Sequence, residues 1–301
     1  MNFIPALYVF KVTIGICVRN SEATVGAATK SVINQDFPHE LMEIIIVDGY
    51  SEDNTLKIIE KNLGNQIKSR IFYENEGLGA ARQIVVDSAL GEYIVWVDGD
   101  MVLSKDFIRQ QVDFMDRNSN VGIGKGKYGL KSVDEKLVSM LENTEFLIST
   151  MVEGESNSKC HGTSGCIYRT LAIRQVGGFK KTIQGAGEDV DAEYRIKLAG
   201  WKIYVTMATF FEKRRNTWRH LWDEYFWHGF GFHSVLSSNK DVFKLYRFLP
   251  PVAIITELLR IPRAYKLTHK KVVFLLPLHY VFKRSAWILG YLKGSMDPRT
   301  V

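Results

Sequence analysis

The stretch EYIVWVDGDMVLS, residues 92–104, runs from an apolar segment directly into two aspartates that are separated by one glycine. An isolated Asp-Gly-Asp is most often a surface turn, because Asp and Gly are common turn residues. Here, however, it follows the strand-like run YIVWV, and another apolar run ends at Asp48. We therefore interpret Asp98 and Asp100 as part of a functional site at the end of a buried strand.

The segments before this stretch alternate between strand and helix patterns. Apolar runs rich in β-branched residues predict strands at 8–18, 41–48 and 69–74. Helical composition predicts helices at 22–34, from a cap at Ser51 or Asp53 to about Leu63, and at 77–90. Continuous apolar strands joined by helices indicate a mostly parallel central sheet that helices cover on both faces, which is an α/β fold.

The strand ends gather the acidic residues. Ligands of parallel sheets bind at the carboxyl ends of the strands, which brings Asp48, Asp98 and Asp100 to one edge. Two carboxylates held close together need a cation to offset their repulsion. A divalent metal that also binds phosphate oxygens, Mn²⁺ or Mg²⁺, is the economical candidate, and Asp98 and Asp100 are its predicted ligands.

Four motifs in a fixed order resemble those of the inverting family 2 glycosyltransferases with a GT-A fold. VDGYSEDNT (47–55) is similar to that family's VDDGSxDxT, and NEGLGAARQ (75–83) to its NxGxxxARN. DGD (98–100) is its Asp-any-Asp motif, and GEDVDAEYRIKLAG (187–200) resembles its acid-rich helix start. The resemblance covers roughly residues 10–235 and implies a GT-A domain that uses a UDP-, GDP- or dTDP-sugar.

For the nucleoside, the resemblance implies three contacts. Asp48 accepts a hydrogen bond from the base, a role for which a carboxylate facing an imide N–H is suited. Arg19 and Asn20, which follow the first strand, line the nucleoside. Gly49 stands where the family commonly has a second aspartate, so any role of that second carboxylate is absent here.

For the phosphates and the sugar, the resemblance implies that Arg82 faces the nucleotide, as suits a guanidinium. It also implies that Asp98 and Asp100 hold the ribose and the metal-bound diphosphate. His161 lies in a polar, glycine-containing loop and is a candidate donor contact, although a single loop histidine is more often a structural hydrogen-bonding group. A dinucleotide-binding loop is a poor reading of GLGAAR, which lacks the third glycine and does not follow the first strand.

The acid-rich helix start carries the predicted catalytic base. Glu188, Asp189 and Asp191 lie in the first helical turn, where the helix dipole favours negative charge. Inverting transfer needs a carboxylate that removes the proton of the acceptor hydroxyl as it attacks from the face opposite the leaving nucleotide. The resemblance places that base here, and we assign it to Asp189, with Glu188 orienting it or binding acceptor hydroxyls.

The composition is that of an ordinary globular protein, with 46% hydrophobic and 24% charged residues in 301. Three cysteines, Cys17, Cys160 and Cys166, form an odd number without a recognisable leader, which indicates a reducing compartment rather than a disulfide scaffold. Cys160 and Cys166 lack the partner pair that a zinc site needs.

The segment 212–233 has basic residues near aromatic rings, a combination that also occurs in nucleic-acid-binding sites. We prefer to interpret this segment as a helix that lies beside the active site.

Positive charge is concentrated in the tail. Residues 240–301 contain twelve Lys or Arg and three acids, a local charge of +9 in a chain of +6. The apolar stretches 248–259 and 272–282 are shorter than the about 20 residues needed to span a membrane. We predict a GT-A domain over 1–235 and, over 236–301, a helical region that lies on the cytoplasmic face of the cell membrane, with a partner-subunit surface as the competing interpretation.

These patterns predict a metal-dependent enzyme that transfers a sugar to a hydroxyl of a lipid-linked saccharide, for assembly of a cell-surface polysaccharide or glycan. One alternative is transfer onto a polyprenyl phosphate, where the nucleophile is already an anion and needs no strong base. An alternative of another class is a non-catalytic membrane scaffold that keeps a GT-A fold. Retention of Asp98, Asp100, Glu188 and Asp189 speaks against it.

Overall fold

The computed structural model describes residues 8–129, 136–150, 154–156, 161–183, 185–238 and 249–297. Cys160 and part of the basic tail (Lys240, Lys244, Arg247 and Arg299) lie outside these ranges. Within them, nine strands form one mixed sheet in the order β3-β2-β1-β4-β8-β6-β9-β5, and β7 pairs with β9. The strands are β1 (Phe10–Val18), β2 (Met42–Asp48), β3 (Lys68–Tyr73), β4 (Gly91–Trp96), β5 (Met101–Leu103), β6 (Val121–Tyr128), β7 (Gly154–Glu155), β8 (Cys166–Arg169) and β9 (Lys202–Glu212).

The first four strands form the parallel half of the sheet, as the sequence predicts. In their register Val18 lies opposite Asp48, and Asp48 lies opposite Tyr73, so the strands end at a common edge. The second half differs, because β8 enters between β4 and β6 and runs antiparallel to both. This places the loop before β8 at the same edge as the ends of β1, β2 and β4.

Helices cover both faces of the sheet. They are α1 (Val25–Ile33), α2 (Thr55–Leu63), α3 (Leu78–Ser88), α4 (Phe107–Arg117), α5 (Leu137–Thr150), α6 (Thr170–Gln175), α7 (Glu188–Leu198), α8 (Trp218–Ser238), α9 (Pro250–Thr268) and α10 (Leu276–Ser295). In β2, Ile44 and Ile46 belong to the core on one face, and Ile45 and Val47 to the core on the other. Burial on both sides explains why this strand is continuously apolar.

Helix α7 starts where its local sequence requires a start. Gly187 at its N-cap has φ of 116°, a left-handed conformation that glycine adopts without a Cβ penalty. Glu188, Asp189 and Asp191 occupy the first turn, and Arg195 and Lys197 the last turn. Both ends thus complement the helix dipole, and the turn fixes the position of the predicted base.

The C-terminal helices pack onto the rest of the chain. Helix α8 continues through residue 238, so the predicted boundary at 235 falls within it. Of the described residues, one helical segment, Lys271–Ser295, is long and apolar enough to cross a membrane by length and composition. It contains Lys283, whose side chain is 1% exposed and pairs with Glu142 of α5. Burial of this charge inside the protein fits a helix that packs on α5 and α8 at least as well as one in lipid.

Two glycines allow α8 and α10 to approach closely. A Cβ built on Gly290 would overlap the carbonyl oxygen of Phe226, and one on Gly229 would overlap the carbonyl oxygen of Trp287. Because the obstructing atoms are backbone atoms, no side-chain rotation can relieve the overlap. The contact between the two helices therefore depends on glycine at both positions.

We expect Gly290→Ala to lower the free energy of unfolding by about 1–3 kcal/mol, the usual cost of overpacking a tight contact. Urea unfolding followed by circular dichroism measures this. Gly26→Ala in α1 is the matched control, since its new methyl group would meet a movable side-chain atom of Ile58 at 3.3 Å. A Gly290→Ala protein as stable as the control protein would contradict the close packing.

Candidate active site

The Asp-Gly-Asp segment lies at the end of β4, as predicted. The hydroxyl of Ser164, in the loop before β8, donates to Asp98 Oδ2 at 2.9 Å. Asp100 is half-buried, and the backbone N–H of Lys213 donates to its carbonyl oxygen at 3.1 Å. Burial raises the pKa of the Asp100 carboxyl, and the neighbouring Asp98 charge raises it further.

Arg82 of α3 lies at the centre of the acidic residues. Its side chain is 6% exposed and forms an ion pair with the buried Glu188. Its guanidinium also lies 3.6 Å from Asp98 Oδ1 and 3.8 Å from Asp189 Oδ2. A buried guanidinium needs such partners, and it brings the end of β4 and the start of α7 together. Its predicted contact with the nucleotide stays a prediction.

Glu188 is held by this pair but is not fully satisfied. Burial raises its pKa to about 7, against the opposing effect of Arg82. Among the described residues, Glu188 Oε2 is buried without a hydrogen-bond partner. A buried carboxyl group with a pKa near neutrality can take up a proton at physiological pH.

Asp189 faces a cavity of about 370 Å³ between α7, α8 and the end of β9. Its side chain is 20% exposed, whereas that of Glu188 is 1% exposed. The backbone N–H of Thr163 lies 3.3 Å from Asp189 Oδ2. Asp189 is therefore the more accessible of the two carboxylates, in agreement with its assignment as the base, which stays a prediction.

A second cavity of about 240 Å³ lies at the ends of β1 and β2, and of the three predicted nucleoside residues Arg19 lines it. The aliphatic stem of Arg19 lies over Gly49, where an added Cβ would come within 3.1 Å. Asp48 is buried, and its carboxylate accepts the backbone N–H and the hydroxyl of Ser51 at 2.8 and 2.6 Å. Asn20 is exposed and lines the neighbouring cavity beside Asp100.

His161 lines the cavity of Asp189, but its ring bonds to the protein. Its Nε2 lies 2.6 Å from the hydroxyl of Ser156, and its backbone N–H donates to Glu193. The ammonium of Lys125 donates to the carbonyl oxygens of His161 and Ser164. This buried lysine, which the sequence analysis missed, orders the loop before β8; a lysine in the glycine-rich strand β6 is the signal that could have found it.

Basic residues between β9 and α8 surround Asp100. Lys213, Arg214 and Arg215 line a cavity of about 520 Å³ that also reaches Asp100. Glu212 bonds to Arg214 at 2.8 Å, and burial raises the Glu212 pKa to about 7, with the charges of Asp100 and Asp98 adding to it. The site therefore combines carboxylates with cations suited to phosphate.

The donor groups at Asp98 and Asp100 fit a hard divalent cation, because carboxylate oxygens are its preferred ligands. No described side chain forms an ion pair with Asp100, so this half-buried carboxylate can still bind a cation.

A separate group with metal-ligand spacing, Glu142, Glu145 and His279, lies between α5 and α10. The ammonium of Lys283 donates hydrogen bonds to both carboxylates and occupies the place that a metal ion would take.

Comparisons with known proteins agree with this geometry. The model of the family "Glycosyl transferase family 2" matches residues 13–176. TarS of Staphylococcus aureus, a poly(ribitol-phosphate) beta-N-acetylglucosaminyltransferase, is 33% identical over 101 residues, which are 33% of this chain and 18% of TarS. The cholesterol galactosyltransferase of Borreliella burgdorferi is 38% identical over 92 residues, which are 30% of this chain and 25% of that protein. The matched segments thus cover a quarter or less of these two relatives.

Solved structures show the same fold. The mannosyltransferase PcManGT of Pyrobaculum calidifontis, in complex with GDP-Man and Mn²⁺, has a TM-score of 0.68 at 15% identity and covers 97% of this chain and 89% of its own. Residues 1–349 of S. aureus TarS, in complex with UDP, have a TM-score of 0.55 at 19% identity and cover 94% of this chain and 89% of their own. The predicted GT-A fold is thereby confirmed.

The raised pKa of Glu188 predicts a specific pH dependence of stability. Because folding raises this pKa from 4.5 to about 7, the folded protein binds more protons than the unfolded chain between these values. The contribution of Glu188 to stability is thus largest below pH 4.5 and is lost as the pH rises to 7. Urea midpoints at pH 5 and pH 8 should differ less in Glu188→Gln than in the wild type. An equal difference would contradict the raised pKa.

Proposed function

We propose that this chain, which belongs to glycosyl transferase family 2, is a glycosyltransferase that transfers a sugar from a nucleotide-sugar donor to an acceptor hydroxyl with inversion. The observation that carries the proposal is the convergence of Asp98, Arg82, Glu188 and Asp189 at one edge of the sheet, joined by ion pairs of Arg82. UDP in the TarS complex and GDP-Man in the PcManGT complex support a nucleotide-sugar donor.

The donor would lie along the ends of β1, β2 and β4. The base enters the cavity that Arg19 and Gly49 line, beside the buried Asp48. The diphosphate lies near Asp100, where Lys213 and Arg215 offer positive charge. Asp98 and Asp100 would hold Mn²⁺ or Mg²⁺, which supplies charge stabilisation for the departing diphosphate. The Mn²⁺ in the PcManGT complex supports this metal dependence.

Proton transfer falls to the start of α7. Asp189 accepts the proton of the acceptor hydroxyl as that oxygen attacks the anomeric carbon, and the nucleoside diphosphate leaves from the opposite face. Arg82 keeps Glu188 and Asp189 close to Asp98, so the base and the donor site hold a constant separation. Glu188, whose Oε2 is buried, would orient Asp189 through the Arg82 guanidinium that both carboxylates face.

Two alternatives remain distinct from this proposal. A polyprenyl-phosphate glycosyltransferase would use an anionic nucleophile and would need no strong base at Asp189. Burial of the Arg82–Glu188 ion pair has a desolvation cost in free energy. A non-catalytic scaffold would not require this pair. The two curated relatives act, by their names, on poly(ribitol-phosphate) and on cholesterol, which supports a hydroxyl acceptor.

The principal test separates base catalysis from donor binding. Asp189→Asn should leave donor affinity nearly unchanged and lower turnover by about 10²–10⁴, the usual range for loss of a general base. Asp100→Asn should instead weaken metal-dependent donor binding, because ligand charge is lost beside the diphosphate. Calorimetry with UDP-, GDP- and dTDP-sugars in Mn²⁺ or Mg²⁺, together with a transfer assay, measures both.

Asp223→Asn, at an exposed position of α8, is the matched control and should change neither quantity. Unchanged turnover in Asp189→Asn would overturn the base assignment and favour a phosphate acceptor. Absence of binding to every donor, with and without metal, would overturn the enzyme mechanism proposed here.

We also propose that the C-terminal helices dock this enzyme on the cytoplasmic face of the cell membrane, where a lipid-linked saccharide would reach it. Leu258 and Leu259 of α9 are 52% and 78% exposed. Arg263 and Lys266, one to two turns further along the helix, are also exposed. Exposed leucines beside basic residues suit an anionic headgroup region, and anchoring keeps enzyme and acceptor in one plane.

The double variant Leu258→Ser, Leu259→Ser should lower co-sedimentation with anionic liposomes several-fold, because it removes apolar surface from the interface. High salt should weaken binding of the wild type without abolishing it, since each basic residue near the surface contributes about 1 kcal/mol. Leu198→Ser, at a position of α7 that is 68% exposed, is the matched control. If the double variant and Leu198→Ser co-sediment equally, or if the wild type does not co-sediment, the membrane proposal is wrong. The competing interpretation, a surface that binds a partner subunit, would then be favoured.

A further inference from the structure

One face of α8 forms a wall of the cavity that contains Asp189. Glu224, His228 and Phe232 line the cavity at intervals of four residues, and Tyr225 lies three residues before His228, so all four lie on one side of the helix. Asp98 and Asp100 do not line this cavity, but Arg82 and Ser164, which both contact Asp98, do, so the cavity adjoins the predicted donor site. The cavity has about 370 Å³, enough for one or two sugar rings.

The wall offers hydrogen-bonding groups without protein partners. No described residue forms a hydrogen bond with the imidazole of His228, whose ring centroid lies 5.4 Å from that of Tyr225. Burial lowers the His228 pKa, which favours the neutral ring with one donor and one acceptor nitrogen. The carboxylate of Asp189, whose side chain is 20% exposed, also lines the cavity. A ligand with several neutral hydroxyls would satisfy both.

The cations of the cavity are already engaged. Of the described lining residues, Arg82 pairs with Glu188, Arg214 bonds to Glu212, and Lys125 bonds to two backbone carbonyl oxygens. The lining also includes four carboxylates, those of Glu188, Asp189, Glu212 and Glu224. A phosphate in this cavity would be repelled by the carboxylates, and the cations already pair with protein groups. Few favourable interactions would therefore offset the free energy of removing the phosphate from water.

Three phenylalanine rings form another part of the lining. Phe146, Phe210 and Phe232 contribute rings to the cavity beside the carboxylates. A pyranose has an apolar C–H face and polar edges, and this combination of rings and acceptors matches both. An extended acyl chain would satisfy the rings but would leave the polar groups without partners.

We propose that the face of α8 formed by Glu224, Tyr225, His228 and Phe232 is the acceptor subsite, and that it takes an uncharged sugar ring whose hydroxyls bond His228 and Asp189. The inference rests on the proposed function and refines it, since it selects a neutral sugar hydroxyl over a phosphate as the nucleophile. His228 is then a determinant of acceptor binding, and the donor binds without it.

The test uses the full chain and small probes that contain no lipid. Saturation-transfer NMR measures binding of methyl β-glucoside, methyl β-galactoside, methyl α-mannoside and methyl β-N-acetylglucosaminide, with methyl phosphate as the anionic probe. We expect at least one glycoside to bind and methyl phosphate not to bind. His228→Phe should weaken glycoside binding by about three- to tenfold, the equivalent of a lost hydrogen bond, and leave UDP and GDP affinity unchanged.

His233→Phe is the matched control, because His233 lies on the same helix against Tyr291 and does not line the cavity. Phe232→Leu, which keeps an apolar side chain, should also weaken glycoside binding. It provides an independent test if His228→Phe does not fold. Absence of binding by all four glycosides, equal effects of His228→Phe and His233→Phe, or preferential binding of methyl phosphate would each overturn the subsite. Failure of UDP and GDP to bind would instead count against the proposed function.

Discussion

The buried guanidinium of Arg82 is the interaction on which the arrangement of the site depends. It belongs to α3, yet its three carboxylate partners come from the end of β4 and the first turn of α7. One cation facing three acids cannot neutralise all of them, which is consistent with a Glu188 pKa of about 7. The remaining negative charge on these carboxylates can be neutralised by a metal ion or a proton, or can accept a hydrogen bond from a ligand hydroxyl. The same ion pairs of Arg82 therefore hold β4 and α7 together and set the charge of the site.

Much of the architecture follows from local patterns. The predicted strands and helices of the first half lie within a few residues of β1 to β4 and α1 to α3, because periodicity and turn residues act over short distances. The four motifs led to the GT-A fold and to the family, and both are confirmed. The strand ends placed Asp48, Asp98 and Asp100 at one edge, as the rule for parallel strands requires.

Pairings between distant segments could not be read in the same way. The bond of Lys125 to the loop before β8 and the ion pair of Arg82 with Glu188 join residues that are 36 or more apart in sequence. The antiparallel β8 has the same composition as a parallel strand, so its direction is set only by the chain around it. Likewise, the need for glycine at positions 229 and 290 becomes evident only from the contact between α8 and α10. These features arise from tertiary packing, for which a single sequence has no local signal.

The ammonium of Lys283 in its cage of Glu142 and Glu145 has a consequence for synthesis. Glu142 leaves the ribosome about 140 residues before the lysine that neutralises it, and the buried position of Glu142 cannot be occupied cheaply by an unpaired carboxylate. Helix α5 therefore receives this neutralising partner only after α10 has been translated. Since α10 also packs against α8, the cavity wall that α8 forms beside Asp189 receives its support at the same late stage.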